Sequence, residues 1–296
     1  MRTRTLLATA AGLATVAATA LPAAAIKYGE PDDGAHPYVG MMIAYVSADV
    51  DGDGDEELVA GWRCTGTQLD VDTFLTAGHC TYGAEAVAIW YDDDIDHLTG
   101  ADFRLFDDAM VNADAYSLQA VSHPEYDDAA FYLHDAGIVD EIVLNDGAGF
   151  DQYGTLPELG YWDGQLATRK KDRDSYVTVG YGLQWSMPTR GKSEPSDNNN
   201  ARQDEGLWIK LRAGGELVNN RQFDAGKGQD SYVVLSSNAH TGGTCSGDSG
   251  GPTFVEGTST VVAVTSFGVN ETCAGSSGVY RIDTADDLAW IGGYVG

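Results

Sequence analysis

One glycine-rich stretch constrains this chain more than any other feature of its sequence. Residues 241–253 read T-G-G-T-C-S-G-D-S-G-G-P-T and place Ser249 directly after Asp248 and between glycines. Glycine adopts backbone conformations that other residues avoid, so such runs occur where the main chain turns sharply or approaches a ligand closely. By itself such a turn is most often a plain loop. With a base and an acid nearby, however, its serine could present a hydroxyl and a backbone N–H to one reacting atom, as acyl transfer requires.

Two further motifs supply a base and an acid for that serine. Residues 74–80 read F-L-T-A-G-H-C, an apolar run that ends in a small-residue turn carrying His79. Residues 133–139 read L-H-D-A-G-I-V, with Asp135 at the start of another apolar run. The chain order histidine, aspartate, serine is one of three in which the serine–histidine–aspartate triad recurs. The pattern therefore predicts Ser249 as nucleophile, His79 as its general base and Asp135 as the orienting acid.

These motifs, in this order, resemble the trypsin/chymotrypsin family of serine proteases, and the chain looks like a secreted, bacterial-type member. Three later segments are also similar to that family: Y-V-T-V-G-Y-G at 176–182, T-S-F-G at 265–268 and G-V-Y-R at 278–281. The resemblance implies an all-β fold of two six-stranded antiparallel β-barrels with a short C-terminal helix. It also implies a serine endopeptidase that hydrolyses peptide bonds through an acyl-enzyme on Ser249.

Length allows one large or two small domains, and composition indicates β-rich structure. Of 296 residues, 43% are hydrophobic and 37 are glycine, and short apolar runs are broken by Gly, Asp, Asn and Pro. This pattern is typical of all-β structure with many turns. We expect the protease domain at 26–296, with the first barrel at about 26–150, the second at about 160–283 and the helix at about 284–292. The crossing between barrels is expected near 146–160, and a polar surface loop at 187–205.

The first 25 residues have the features of a secretory signal peptide. Arg2 and Arg4 form a basic start, an apolar stretch follows, and residues 23–25 are alanines that fit a cleavage site. A membrane anchor is the weaker interpretation, because the stretch is short for a bilayer and rich in Thr and Ala. The segment predicts a secreted, extracellular protein.

Removal of that segment would make Ile26 the amino terminus. In the resembled family, a mature N-terminal Ile or Val inserts its ammonium beside the aspartate that precedes the catalytic serine, which is Asp248 here. The resemblance thus implies an activation ion pair between Ile26 and Asp248, formed by signal-peptide removal itself. Tyr28 departs from the glycine usual at the third mature position, whereas Gly29 keeps the fourth.

The four cysteines indicate disulfides, because an even count is typical of secreted chains, and spacing alone leaves three pairings open. The family pattern implies the pairs Cys64–Cys80 and Cys245–Cys273. No two cysteines are spaced as in a zinc site, so a structural zinc is not expected.

The resemblance also assigns an oxyanion hole and a specificity pocket. The backbone N–H groups of Gly247 and Ser249 would form the oxyanion hole. The pocket residues would be Gly243, Thr244, Ser266, Gly268 and Gly278. A glycine at 243 stands where cleavage after Arg or Lys usually needs an aspartate, and the last two glycines match small wall residues that leave the pocket open. A neutral, open pocket predicts a preference for a large apolar or aromatic side chain before the scissile bond.

The charge of the chain argues against two classes of partner. The net charge is −28, from 45 acidic and 17 basic residues, and such a surface repels nucleic acid and anionic membranes. We expect protein or peptide substrates, protein protease inhibitors as further partners, and a monomer. No cofactor is expected, with calcium as a minor candidate. Asp49, Asp51 and Asp53 imitate the start of a calcium loop, but the closing glutamate is missing and an acidic hairpin loop is the favoured interpretation.

Two other functions stay open at this point. A catalytically silent relative would use the barrels as a binding module, and loss of a triad residue is its usual sign. An esterase on an α/β-hydrolase fold would contain the G-x-S-x-G string found at 247–251, but that fold places the serine before the acid and the histidine. The remaining histidines are interpreted as surface or loop residues: His36, His97, His123, His134 and His240.

Overall fold

The computed structural model describes residues 26–145, 149–184, 208–219, 230–268 and 273–296, and these residues form two antiparallel sheets joined by short helices. The strands are β1 (Glu30–Pro31), β2 (Val39–Ala48), β3 (Glu57–Gln68), β4 (Phe74–Thr76), β5 (Ala86–Trp90), β6 (Ala115–Ser117), β7 (Gln119–Ser122), β8 (Gly137–Asp140), β9 (Val143–Leu144), β10 (Tyr176–Gly180), β11 (Leu211–Gly215), β12 (Leu217–Asn219), β13 (Tyr232–Ser237), β14 (Pro252–Val255), β15 (Val261–Gly268) and β16 (Gly275–Arg281). The α-helices are α1 (Gly78–Thr81), α2 (Gly100–Phe103), α3 (Phe106–Asn112), α4 (Tyr161–Ala167) and α5 (Ala285–Ile291), and 3₁₀ helices cover Asp128–Leu133 and Lys170–Asp172.

The first sheet contains eight strands in the order β7-β8-β4-β3-β2-β5-β6-β9. Leu118 separates β6 from β7, and Glu141, with a φ of 51°, begins the break between β8 and β9. β6 pairs with both β5 and β9, while β7 pairs with β8. β6 and β7 therefore act as one bent strand, and so do β8 and β9. Counted in this way, the sheet closes on itself as a barrel of six strands.

The second sheet closes in the same way, in the order β1-β11-β10-β14-β15-β16-β13-β12. Only Glu216 separates β11 from β12, and these two strands pair with β10 and β13 respectively. Counting β11 and β12 as one bent strand gives a second six-stranded barrel, to whose edge β1 adds by pairing with β11. The mostly β fold of two antiparallel sheets, expected from the sequence, is confirmed.

A shared apolar core joins the two barrels and determines where functional segments can meet. Leu75 and Ile138 from the first barrel pack in one cluster with Val179, Phe254 and Val264 from the second, and all five are buried. Full burial of such a side chain contributes about 1.5–3 kcal/mol. Because β4, β8 and β14 all contribute residues to this core, the segments that follow β4 and precede β8 and β14 lie at the junction of the barrels.

Of the α-helices in the structure, the C-terminal one was predicted from the sequence. α5 begins where the sequence predicted it, and the Thr284 hydroxyl accepts a hydrogen bond from Asp287 N–H at 3.2 Å. α2, α3 and α4 were not predicted, and α4 follows the proposed crossing region directly. The expected signal peptide and the expected loop at 187–205 lie outside the described residues. Within the described part of the chain, every helix is too short or too polar to cross a bilayer.

Candidate active site

His79 lies in α1, the single helical turn that follows β4 of the first barrel. A Cβ on Gly78 would lie 2.7 Å from the Tyr126 ring and 3.0 Å from the Ala136 carbonyl oxygen, so the close packing of this turn needs glycine. A disulfide joins Cys80 in the same turn to Cys64 on β3. Packing and cross-link together hold the imidazole at the barrel junction.

Asp135 precedes β8 and is fully buried, yet its carboxylate is well supplied with donors. It accepts hydrogen bonds from His79 N–H at 2.9 Å, from His79 Nδ1 at 3.0 Å and from the Ser266 hydroxyl at 2.5 Å. These donors offset the cost of burying a charge. With Nδ1–H donating to the carboxylate, the other imidazole nitrogen, Nε2, keeps a lone pair that can accept a proton.

The electrostatics of the site shift the pKa of His79 upward. Burial alone lowers the pKa of the imidazole, but the charge of Asp135, its hydrogen bond and the more distant charge of Asp128 outweigh burial. A raised pKa makes the imidazole a stronger proton acceptor. About a quarter of the His79 side chain remains exposed, so a substrate can reach it.

Ser249 lies in a tight turn of the second barrel, residues 245–251, which abuts the first barrel and is called the serine turn below. Gly247 and Gly250 adopt φ values of 97° and 77°, which favour glycine. Thr65 N–H on β3 donates to the Ser249 carbonyl at 2.8 Å, and a Cβ on Gly250 would lie 2.7 Å from Ala77 N. The serine turn thus contacts the residues that immediately precede His79. The side chains of His79 and Ser249 are not hydrogen-bonded to each other in this structure.

Two backbone donors in the serine turn have no partner within the described residues. The N–H groups of Asp248 and Gly250 donate to carbonyl oxygens at 3.1 Å and 2.7 Å, whereas those of Gly247 and Ser249 make no hydrogen bond. These are the two N–H groups that the sequence predicts for the oxyanion hole. Free, fixed donors beside a serine hydroxyl suit an oxyanion that develops there.

Asp248 is the second fully buried carboxylate of the site. It accepts hydrogen bonds from Gly182 N–H at 2.7 Å and Cys245 N–H at 2.8 Å. Burial raises its pKa to about 7, although both hydrogen bonds and the charge of Arg63 act in the opposite direction. The carboxylate therefore lies in an environment that favours a further cation close by.

The segment expected to supply that cation packs against the same barrel. Ile26 is fully buried against Leu211 and Ala213, and Lys27 pairs with Gly243, five residues before Asp248. Ile26 is joined to Ala25 in this chain, so it carries no ammonium here. The predicted Ile26–Asp248 ion pair thus stays a prediction.

The predicted pocket residues lie on β15, on β16 and in the segment just before Cys245, all in the second barrel, and two of the glycines are enclosed by neighbouring side chains. A Cβ on Gly243 would lie 2.0 Å from the Ser237 hydroxyl, and one on Gly278 would lie 2.3 Å from the ring of Phe267. The interpretation of Gly278 as an open wall therefore needs correction, since the Phe267 ring occupies the space in front of it. Thr244 is buried and Gly268 is exposed.

The second disulfide joins Cys245, in the serine turn, to Cys273 just before β16. Both cross-links are thus the pairs that the family pattern implied, and no cysteine is free within the described residues. Because Cys245 N–H also donates to Asp248, this disulfide braces the buried carboxylate as well as the pocket.

Other titratable clusters lie outside this centre. His123 is buried, contrary to the surface position expected for it, and stacks on His134 with ring centroids 5.2 Å apart. The exposed carboxylates of Asp49, Asp51 and Asp53 lie close together and could hold a cation. Asp49 accepts N–H bonds from Gly52 and Gly54 within its own loop, so calcium there stays a prediction.

A surface cavity of about 890 Å³ lies beside β10 and β11 of the second barrel, away from Ser249. Tyr28, His36, Tyr176, Arg212 and His240 are among its lining residues. None of the predicted catalytic residues reaches it, so its size gives no indication of the catalytic function.

Comparison with known proteins agrees with this fold. The profile of the trypsin family matches residues 46–291. An HL collagenase structure aligns with a TM-score of 0.60 at 18% identity, covering 90% of this chain and 96% of that one. A mutant of human heparin binding protein aligns at 0.55 and 16% identity (90% and 96% covered), and a scabies mite inactivated protease paralogue at 0.54 and 15% (90% and 98% covered). No curated protein sequence is significantly similar. Since the family match spans most of the chain, the protein belongs to the trypsin family.

Proposed function

We propose that this protein is a secreted serine endopeptidase that uses His79, Asp135 and Ser249. The observation that carries the proposal is the buried Asp135 carboxylate, bonded to both His79 N–H and His79 Nδ1 and supported by Ser266. A buried carboxylate with this set of donors orients an imidazole for proton transfer. The serine turn beside it supplies the nucleophile.

The reaction follows from the positions of these groups. The Ser249 oxygen attacks the carbonyl carbon of a peptide bond, while His79 Nε2 takes the hydroxyl proton. The carbonyl oxygen becomes negative and is stabilised by the N–H groups of Gly247 and Ser249. His79 then donates its proton to the leaving amine, which leaves an acyl-enzyme ester. Water attacks that ester with His79 again as base, and the acid product and free Ser249 are released.

Asp248 and Ile26 are proposed to order the serine turn, which carries the oxyanion donors. A free Ile26 ammonium would neutralise the buried Asp248 carboxylate, which precedes Ser249 directly. The burial of Ile26 and the pairing of Lys27 with Gly243 support this arrangement. Removal of residues 1–25 would then be the activating step.

The specificity pocket is proposed to accept an apolar or aromatic side chain before the scissile bond. Position 243, where binding of a basic substrate side chain would need a carboxylate, is a glycine. The Phe267 ring fills the space in front of Gly278 and gives the pocket an apolar wall on that side, so the proposed preference follows from the apolar lining and not from an open wall at Gly278. Protein or peptide substrates, protein inhibitors, a monomeric state and a bacterial-type origin remain predictions from the resemblance.

The test is the digestion of a defined peptide mixture by the chain that begins at Ile26, with products identified by mass spectrometry. We expect cleavage after apolar or aromatic residues and no cleavage by a matched Ser249→Ala variant. Cleavage mainly after Arg or Lys would overturn the pocket assignment alone. Equal products from both proteins, or none from either, would overturn the protease assignment.

One alternative has a specific observation in its favour. A catalytically silent binding protein on this fold would not need the Ser249 hydroxyl to bond His79, and that bond is not made in this structure. Catalytic hydrogen bonds are often long in unliganded enzymes and tighten only with substrate. The digestion experiment separates the two functions, because a silent relative leaves every peptide intact.

A further inference from the structure

Thr65, in the middle of β3, makes an unusual number of contacts across the barrel junction. It is fully buried. Its hydroxyl donates to the Gly247 carbonyl at 2.9 Å and accepts from Tyr181 N–H at 3.2 Å. Its backbone N–H donates to the Ser249 carbonyl at 2.8 Å, so one residue of the first barrel holds both ends of the serine turn.

These contacts hold the peptide units next to the two free donors. A peptide unit is planar, so fixing a carbonyl oxygen also fixes the plane and direction of the N–H that follows it. The Gly247 and Ser249 carbonyls that Thr65 holds belong to the peptide units that carry Asp248 N–H and Gly250 N–H. These two units border, at the Gly247, Asp248 and Ser249 Cα atoms, the units that carry the two unpaired N–H groups, so holding them restricts how those groups can turn. Rotation of either residue away from the observed arrangement would break a buried hydrogen bond, at a cost of about 1–3 kcal/mol.

A second side chain from the same face of β3 packs on this turn. Residues i and i+2 of a strand share a face, and Arg63 precedes Thr65 by two. The guanidinium nitrogens lie 2.9 Å and 3.1 Å from where a Cβ on Gly247 would be, and the group lies over the ring of Trp208 at 5.2 Å. Any side chain at 247 would displace this packing. Gly247 is thus enclosed by the first barrel.

We propose that Thr65 is a positioning residue whose hydroxyl holds the Gly247–Ser249 turn in the arrangement that stabilises the oxyanion. It does not touch the substrate and acts through the turn. The proposal rests on the proposed protease function and adds a cross-barrel contribution that no sequence motif signals. Misplacing the oxyanion donors weakens binding of the transition state more than binding of the substrate.

The chain offers a matched control for this proposal. Thr67 lies two residues further along the same strand, is also fully buried, and its hydroxyl has no hydrogen-bond partner within the described residues. Thr65→Val and Thr67→Val therefore remove the same atom from similar surroundings, but only the first removes hydrogen bonds. Thr65→Ser retains the hydroxyl and serves as the rescue variant.

The experiment measures kcat and KM for one peptide substrate with all three variants. We expect Thr65→Val to lower kcat about 10- to 100-fold with KM changed less than about 3-fold, since losing an oxyanion donor outright costs about 10²–10³ in turnover. Thr65→Ser and Thr67→Val should stay within about 3-fold of wild type. If Thr65→Val does not fold, Thr65→Ala removes the same hydroxyl with less bulk and is expected to show the same loss of kcat.

The outcomes separate the proposed role of Thr65 from the proposed protease function on which it rests. An active wild type together with equal kcat for Thr65→Val and Thr67→Val overturns the role of Thr65 and leaves the protease function standing. A rise in KM without loss of kcat also overturns it, because the turn would then affect substrate binding only. A wild type that cleaves no peptide overturns both.

Discussion

The buried Asp248 carboxylate should make folding stability depend on how the chain begins. Two forms are compared: one that starts at Ile26 with a free ammonium, and one that retains Ala25 before it. In the retained form the folded pKa of Asp248 is about 7, against an ordinary value of 3.8. Between these values the folded state binds more protons than the unfolded state, so this group makes stability fall as pH rises.

The size of the effect follows from the difference in pKa. A difference of about 3 units corresponds to about 4 kcal/mol, lost between about pH 4 and pH 7, of which about 2 kcal/mol is lost between about pH 5 and pH 7. In the form that starts at Ile26, the ammonium favours the charged carboxylate and lowers its pKa. That form should show little loss from Asp248 over the same interval.

The assay is the free energy of unfolding in urea at about pH 5 and pH 7 for both forms. We expect the loss in the retained form to exceed the loss in the Ile26 form by about 2 kcal/mol. Asp248→Asn in the retained form is the control and should remove the excess, because an amide does not titrate. Equal pH dependence in the two forms would refute the ion pair, since the ammonium would then not reach the carboxylate.

Three further predictions concern the same centre. Asp128→Asn should lower the pKa of His79, because a carboxylate that favours the imidazolium is lost, and the acid limb of the kcat/KM profile should move to lower pH. Gly182→Ala places a Cβ 2.4 Å from the Asp248 carboxyl carbon and should cost about 2 kcal/mol or more, measured by urea unfolding. Ser266→Ala removes a donor from the buried Asp135 carboxylate and should lower kcat about 10-fold or more, measured on one peptide substrate.

The candidate site was assigned from short motifs in the sequence. The segments around His79, Asp135 and Ser249 combine small residues with a reactive side chain, and such patterns can be read locally. The α5 helix was also predictable, because Thr284 and the acids after it form a local N-terminal signal. Both disulfides followed from the resemblance and not from spacing.

Other features depend on contacts between distant segments and leave no local pattern. Thr65 is one threonine among many, and only the packing of the barrels brings its hydroxyl to Gly247, 182 residues away. The burial of His123 also depends on tertiary contacts, with Trp290 against its ring. Gly278 was misinterpreted because the sequence suggests empty space beside a glycine. In the structure, Phe267 from the neighbouring strand fills that space.

The short helices α2, α3 and α4 were not predicted from the sequence for a different reason. α3 and α4 contain seven residues each, or about two turns, and α2 only four. An amphipathic pattern needs a longer window to stand out from an irregular mixture of apolar and polar residues. Their stability must come mainly from packing on the barrels, because isolated helices of this length are not stable in water.

The central claim, that Ser249 is a nucleophile activated by His79, is tested most directly by covalent labelling. The chain that starts at Ile26 is treated with a fluorophosphonate and the modified peptide is located by mass spectrometry. The account predicts one phosphonyl group on Ser249 and none in His79→Ala treated for the same time. An unlabelled wild type, or labelling that proceeds equally in His79→Ala, would contradict it.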